Sequence, residues 1–130
     1  MQFFEVVGLM GAQFGLPQLA PRASGACTLR FDGVTVSFTH DEPHDALELR
    51  ASLGRIDPAD PEALGALLAA NRLGDGSGAS GLSCDPSGRV GLRQRMPLAT
   101  LSPEHFLSGL GRFVTWAEHW QARLASGVAA

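Results

Sequence analysis

The chain has 130 residues, of which 45% are hydrophobic and 18% charged, a composition typical of one globular domain and not of a disordered chain. Ten basic residues against thirteen acidic residues give a net charge of −3, which argues against a nucleic-acid-binding module. No apolar run reaches the roughly 18 residues of a membrane span. A secretory signal begins with basic residues, whereas the first basic residue of this chain is Arg22. We therefore expect a single domain over residues 1–130 of a cytoplasmic protein that does not insert into a membrane.

The positions of the cysteines and of the acidic residues bear on the redox state of the protein and on its possible partners. Cys27 and Cys84 lie in predicted strands and belong to no metal or redox motif, so we expect free thiols, with a disulfide as the less favoured alternative. Acidic residues concentrate between positions 41 and 62. We interpret this segment as a solvated rim, and the alternative is a bias towards a basic or polar partner.

The first predicted element is a helix over residues 2–15. Its apolar residues recur at helical spacing and extend beyond one stripe: Phe3, Phe4, Val6, Val7, Leu9, Met10 and Phe14. A helix that is apolar on nearly all sides must be covered on more than one side. Two interpretations stay open, namely that its own sheet covers it completely or that another chain covers part of it.

Three strands are predicted next, because apolar and polar residues alternate over positions 27–32, 34–39 and 47–53. Asp32 and Gly33 favour a two-residue type I′ turn between the first two strands. This turn predicts three cross-strand pairs on one face of the sheet: Phe31 with Val34, Leu29 with Val36, and Cys27 with Phe38. The short connections favour an antiparallel meander.

The second half of the chain predicts a helix, two strands and a longer helix. Asp60, Pro61 and Glu62 form a helix start, and the helix extends to about residue 72. The glycine-rich segment 74–81 lacks the features of a phosphate-binding loop. Strands follow near 81–85 and 89–96, and a long amphipathic helix extends from Ser102 to Gly127. The predicted order is α-β-β-β-α-β-β-α, an α+β domain with an antiparallel sheet packed by helices.

Catalytic and metal-binding patterns are weak. His40, Asp41, His44 and Asp45 have metal-ligating side chains, but Pro43 interrupts them and the sequence shows no distant third ligand. No nucleophile motif is present, and the paired carboxylates lack the apolar surroundings that raise a pKa. We therefore expect no enzyme, no metal and no cofactor, and keep a small metal-dependent enzyme that uses the two histidines as an alternative.

A series of short motifs extends over nearly the whole chain. They are Phe14–Gly15–Leu16 after the apolar first helix, the strand–turn–strand from Cys27 to Val34, Leu67–Leu68–Ala69–Ala70–Asn71, the segment from Leu82 to Leu92, Met96–Pro97–Leu98, and Phe106, Leu110, Phe113, Val114, Ala117, Glu118 and Trp120 of the last helix. In this order and spacing, the chain resembles the class I, effector-specific chaperones of bacterial type III secretion.

The resemblance implies a homodimer in the bacterial cytoplasm, without enzymatic activity or cofactor, that binds the N-terminal segment of a secreted effector. It also implies the secretion ATPase as a further partner. The implied effector-binding candidates are Phe3, Phe4, Val7, Met10, Phe14, Leu29, Val36 and Phe38. The implied dimer-interface candidates are Leu64, Leu67, Leu68, Asn71, Val90 and Leu92, for which burial in the protomer's own core is the alternative. A protein-interaction or regulatory module of related fold, unconnected to secretion, is the second interpretation.

Overall fold

The computed structural model describes residues 1–71 and 80–127 and confirms the predicted order of elements. Most of the predicted glycine-rich loop lies outside the described residues. The helices are α1 (Phe3–Gln13), α2 (Pro61–Asn71) and α3 (Pro103–Ser126). The strands are β1 (Cys27–Phe31), β2 (Val34–Asp41), β3 (Ala46–Arg55), β4 (Gly81–Cys84) and β5 (Arg89–Pro97).

The five strands form one antiparallel sheet in the order β1-β2-β3-β5-β4. The three predicted cross-strand pairs of the first hairpin are confirmed. The turn itself is not type I′, because Asp32 has a φ of 54° while Gly33 does not share the left-handed conformation. The register holds because it also follows from the apolar face of the hairpin, which a slip of one residue would expose.

One face of the sheet is covered by α1 and α3, and the hydrophobic core lies between these layers. The α3 face predicted from helical spacing is confirmed by its buried members: Phe106, Leu110, Phe113, Ala117 and Trp120. The rings of Phe38 and Phe106 meet edge to face with centroids 6.4 Å apart. The predicted start of α3 is also confirmed, since the Ser102 hydroxyl accepts a hydrogen bond from the His105 backbone N–H at 3.2 Å.

Helix α2 packs beside the edge strand β4 and not across the sheet. Its predicted start is confirmed, because Asp60 Oδ1 accepts a hydrogen bond from the Glu62 backbone N–H at 3.0 Å. The residues that α2 buries are Ala63, Leu67 and Ala70. The opposite side of this helix is left to the solvent.

The turn between β4 and β5 depends on a glycine, and Gly88→Ala should lower the free energy of unfolding by about 3 kcal/mol. Gly88 has a φ of +91°, and a Cβ there would clash with the Ile56 carbonyl oxygen. Chemical denaturation measures the loss. Gly8→Ala is the control, since Gly8 lies exposed in α1 with no atom near a Cβ. It should raise stability by about 0.5–1 kcal/mol, and equal stability of the two variants would contradict this account of the turn.

Candidate partner-binding surfaces

Helix α1 is only partly covered by the rest of the described chain. Val6, Val7 and Met10 are buried in the core, whereas the side chain of Phe4 is 69% exposed and that of Phe14 is 40% exposed. Phe3 is half-buried and stacks on the ring of His40, with centroids 5.7 Å apart. The interpretation that the sheet alone covers this helix is therefore wrong for its outer side.

An apolar groove lies beside the end of α1. Phe14 and Phe31 meet edge to face at 5.4 Å, and the groove has a volume of about 290 Å³. It is lined by Gln13, Phe14, Phe31, Leu107, Leu110, Gly111 and Val114. The α3 members were not predicted as site residues. The sequence did contain an indication of them, because Leu107 and Val114 make the apolar face of α3 wider than the stripe of residues that is buried in the core.

The predicted effector-binding residues divide into two groups. Phe3, Phe4 and Phe14 reach the surface of the chain. The other five are buried in its core, with exposed fractions of at most 9%: Val7, Met10, Leu29, Val36 and Phe38. Burial removes this second group from any surface that a partner touches in this conformation. Val7 and Met10 lie on the side of α1 that is buried in the core, and Leu29, Val36 and Phe38 lie on the face of the sheet that packs against the helices.

β1 forms an open edge of the sheet, since it pairs with β2 alone. The two-residue turn makes Phe31 and Val34 a hydrogen-bonded pair, so the backbone groups of Thr28 and Arg30 point away from β2. Within residues 1–71 and 80–127, no hydrogen bond to these outward groups is found. The edge therefore offers backbone donors and acceptors to a further strand.

The opposite edge, at β4, is closed by a side chain of α2. Asn71 Nδ2 donates to the Leu82 carbonyl oxygen, and Asn71 Oδ1 accepts from the Leu82 N–H, both at 2.6 Å. The carboxamide thus takes the hydrogen-bonding position of a neighbouring strand. A strand added at β4 would have to displace this side chain from the backbone groups of Leu82, whereas no described side chain occupies the outward backbone groups of β1.

The predicted dimer-interface residues also divide by burial. Leu68 is 72% exposed and Leu64 is half-buried. Leu67, Val90 and Leu92 are buried in the core of the single chain, at 5%, 1% and 1% exposure. Asn71 is exposed as a residue, but its side chain is engaged by β4.

The histidines and aspartates at the β2–β3 turn form two hydrogen-bonded pairs. His40 Nε2 lies 3.2 Å from Asp45 Oδ1, and His44 Nδ1 lies 2.9 Å from Asp41 Oδ2. Partial burial raises the pKa of Asp41, but the hydrogen bond with His44 and the charges of His44 and Arg95 outweigh it and hold that pKa below its usual range. Among the described residues, no group of three or more His, Cys, Asp or Glu side chains could hold a metal ion.

Both cysteines are free, as expected. Burial raises the pKa of the Cys27 thiol, an effect that the charge of Arg22 partly offsets. The protonated thiol then acts as a small apolar core group.

Comparison with known proteins identifies the family. A family model described as the Tir chaperone protein (CesT) family matches residues 7–121. The chain therefore belongs to the Tir chaperone (CesT) family, which confirms its resemblance to the class I type III secretion chaperones. A search of curated protein sequences finds no significant match.

Solved structures agree with this fold. A chain of the HopA1–SchA chaperone–effector complex has a TM-score of 0.77 at 18% identity, over 92% of this chain and 93% of that chain. A chain of the ExsC–ExsE complex has a TM-score of 0.76 at 26% identity, over 94% of this chain and 96% of that chain. The complex of the Yersinia pestis type III secretion chaperone SycH with a fragment of YscM2 gives a TM-score of 0.70 at 16% identity, over 89% of this chain and 97% of that chain. No helix in the described part of the chain has the length and hydrophobicity of a membrane span.

Proposed function

We propose that this protein is a cytoplasmic type III secretion chaperone that binds the N-terminal segment of a cognate effector in an extended form. The observation that carries this function is the open edge of β1 beside the apolar groove of Phe14 and Phe31. Membership of a chaperone family supports a role in secretion. It favours this role over the alternative of a regulatory module that has a related fold but is unconnected to secretion. Binding would keep the effector segment soluble and ready for secretion.

The mechanism is physical and uses no chemical step. The effector backbone pairs with the outward groups of Thr28 and Arg30, as in other cases of strand addition. Apolar effector side chains enter the groove beside Phe14, and others cover Phe4 on the outer side of α1. Each contact removes apolar surface from water, which contributes about 25 cal/mol per Å². Ordering the segment opposes binding, so a large contact surface is needed. We infer no catalytic activity and no cofactor.

We further propose that the protein acts as a homodimer and delivers its effector to the secretion ATPase. The outer side of α2 supports the dimer, because Leu68 is 72% exposed and Leu64 is half-buried. Only one side of α2 packs into the core of the chain, and Leu68 lies on the other side. An exposed leucine in such a position is typical of a surface that a second polypeptide covers. The position of α2 at the edge of the sheet leaves this side unobstructed by the described elements of the protomer.

Co-expression with the N-terminal segment of the protein encoded by the adjacent gene tests the function. We expect the segment to become soluble and to copurify with a dimer of the chain, as measured by size-exclusion chromatography with light scattering. Phe14→Asp should weaken this complex at least about tenfold, because it places a charge at an apolar groove. Its matched control is Ala125→Asp, at an exposed position near the end of α3.

Two results would contradict the proposal. One is a chain that stays strictly monomeric at micromolar concentration and leaves the segment insoluble. The other is equal affinity of Phe14→Asp and Ala125→Asp for the segment, since the groove would then play no part in binding.

A further inference from the structure

The edge strand β1 carries a single charged side chain, that of Arg30. Arg30 is exposed and alternates with Leu29 and Phe31, whose side chains pack on the face of the sheet that the helices cover. Its guanidinium group therefore lies on the opposite, polar face. Of the ion pairs formed within residues 1–71 and 80–127, none includes Arg30. A positive charge without a described counter-charge thus lies on the strand that the effector segment extends in the proposed function.

One hydrogen bond anchors the guanidinium group of Arg30 near the open edge. Arg30 Nε donates to the carbonyl oxygen of Asp32, in the β1–β2 turn, at 2.7 Å. The carboxylate of Asp32 is exposed and forms no ion pair with any described residue. The anchoring bond uses Nε alone and leaves the terminal nitrogens as donors for a further partner. A side chain that is already anchored loses less conformational entropy when it binds that partner.

The neighbours of Arg30 on the polar face of the sheet are neutral. Its cross-strand partner on β2 is Thr35, and the next residue of β2 on this face is Ser37. On its other side lies the open edge, where an added strand would place a residue directly opposite Arg30. That residue is therefore in the position from which a partner can supply the counter-charge.

The backbone of β1 determines how this opposing residue is oriented. Because the N–H and carbonyl groups of Arg30 point outward, one residue of an antiparallel added strand bonds to both of them. Its side chain lies on the same face as that of Arg30, with Cβ atoms about 4.5–5.5 Å apart. Opposite charges in such a pair stabilise a sheet, and like charges destabilise it. Aspartate or glutamate fits this position, whereas lysine or arginine is rejected.

The residues on either side of the opposing position meet an apolar surface. Their side chains point to the other face of the added strand, towards the layer of the helices. One of them lies opposite Phe31, which forms the groove together with Phe14, Leu107 and Val114. An apolar side chain fits there. The edge and the groove together favour an apolar–acidic–apolar pattern in the segment that binds.

We propose that Arg30 is a specificity-determining residue of the β1 edge, which selects an effector segment with an acidic residue between two apolar residues. The acidic side chain accepts from the terminal nitrogens of Arg30 while the backbone of the segment bonds to β1. An exposed ion pair adds little affinity, but a like charge at this position is rejected, so the effect is mainly on specificity. The inference rests on the proposed strand addition and adds the chemical class of the segment.

Charge exchange between the two partners tests the inference by isothermal titration. The probe is the N-terminal segment of the protein encoded by the adjacent gene, with each Asp and Glu replaced singly by Lys. We expect one replacement to weaken binding to the unchanged protein about tenfold, because it places like charges opposite each other. Arg30→Glu should bind the unchanged segment about tenfold more weakly. It should bind that one lysine variant as tightly as the unchanged protein binds the unchanged segment.

Two control variants separate the selection of charge from other effects. Arg30→Gln removes the charge without inverting it, so its affinities for the unchanged segment and for the lysine variant should agree within about threefold. Arg55→Glu makes the same charge reversal at an exposed arginine of β3, away from the open edge. It should retain the full preference for the unchanged segment.

The outcomes separate this inference from the proposed function. If Arg30→Glu rescues no lysine variant, or if Arg30→Gln discriminates as the unchanged protein does, Arg30 selects no charge and the inference is overturned. Strand addition is then still supported if Arg30→Pro weakens binding, because proline removes the outward backbone N–H and not only the charge. A segment that does not bind the unchanged protein at all would contradict the proposed function, and this inference with it.

Discussion

Arg30→Pro should weaken binding of the effector segment about 100-fold while leaving the fold intact. The N–H of Arg30 points outward from the edge strand, so proline removes a donor that the sheet does not use. Leu29 and Phe31 keep the bonds that join β1 to β2. Edge strands tolerate proline at such positions, and the pyrrolidine ring also obstructs an added strand. Isothermal titration with the purified segment measures the change.

The matched control for this variant is Arg30→Ala. It removes the same side chain, including the contact of Arg30 Nε with the Asp32 carbonyl oxygen, but keeps the backbone N–H. We expect Arg30→Ala to bind within about threefold of the unchanged protein, because an exposed arginine contributes little. Equal affinities of the proline and alanine variants would show that the β1 edge takes no part in binding.

Asn71→Leu should lower the free energy of unfolding by about 3 kcal/mol. The substitution removes two hydrogen bonds of 2.6 Å and leaves the N–H and the carbonyl oxygen of Leu82 without these partners. It also opens the β4 edge, so we expect self-association at high concentration. Urea denaturation measures the stability at a concentration where the variant stays dispersed.

Asn71→Asp separates the contribution of the two hydrogen bonds to stability from that of the shape of the side chain, because aspartate has nearly the same shape as asparagine. The introduced carboxylate can still accept from the Leu82 N–H, but it cannot donate to the Leu82 carbonyl oxygen, which it faces with a negative charge at the C-terminal end of α2. We expect this repulsion to outweigh the retained hydrogen bond, so that the pKa of the introduced carboxyl lies above the unfolded value of about 3.9. The protonated form can donate as the amide does. Relative to Asn71→Leu, this variant should therefore gain stability below about pH 4 and lose it as the pH rises through the folded pKa. A stability difference between the two variants that does not change with pH would contradict the role given to the two hydrogen bonds between Asn71 and Leu82.

The helices and strands were predictable because each is indicated by a pattern of residues within its own segment of the sequence. The alternation of Cys27, Leu29 and Phe31 predicts both the strand and its register, and a cap at Ser102 predicts the start of α3. The turn type was predicted wrongly from Asp32 and Gly33, since the turn adapts its dihedral angles to a register that the apolar face already determines.

The candidate surfaces were predictable only in part, because they depend on how elements pack. Helical spacing shows that α1 is apolar on several sides, but its tilt on the sheet decides that Val6 is buried and Phe4 exposed. Alternation in β5 separates Val90 from Arg89 without telling which side faces α3. The hydrogen bond of Asn71 to Leu82 joins residues 11 positions apart in the sequence, and no local pattern indicates it.

Hydrogen–deuterium exchange of the β1 amides tests most directly whether an extended effector segment adds to this edge. In the free protein, the N–H groups of Thr28 and Arg30 should exchange rapidly, and those of Leu29 and Phe31 slowly, since only the latter bond to β2. Binding of the effector segment should protect Thr28 and Arg30 at least about tenfold, as each N–H acquires a strand partner. A saturated complex in which both amides still exchange as in the free protein would contradict strand addition at β1.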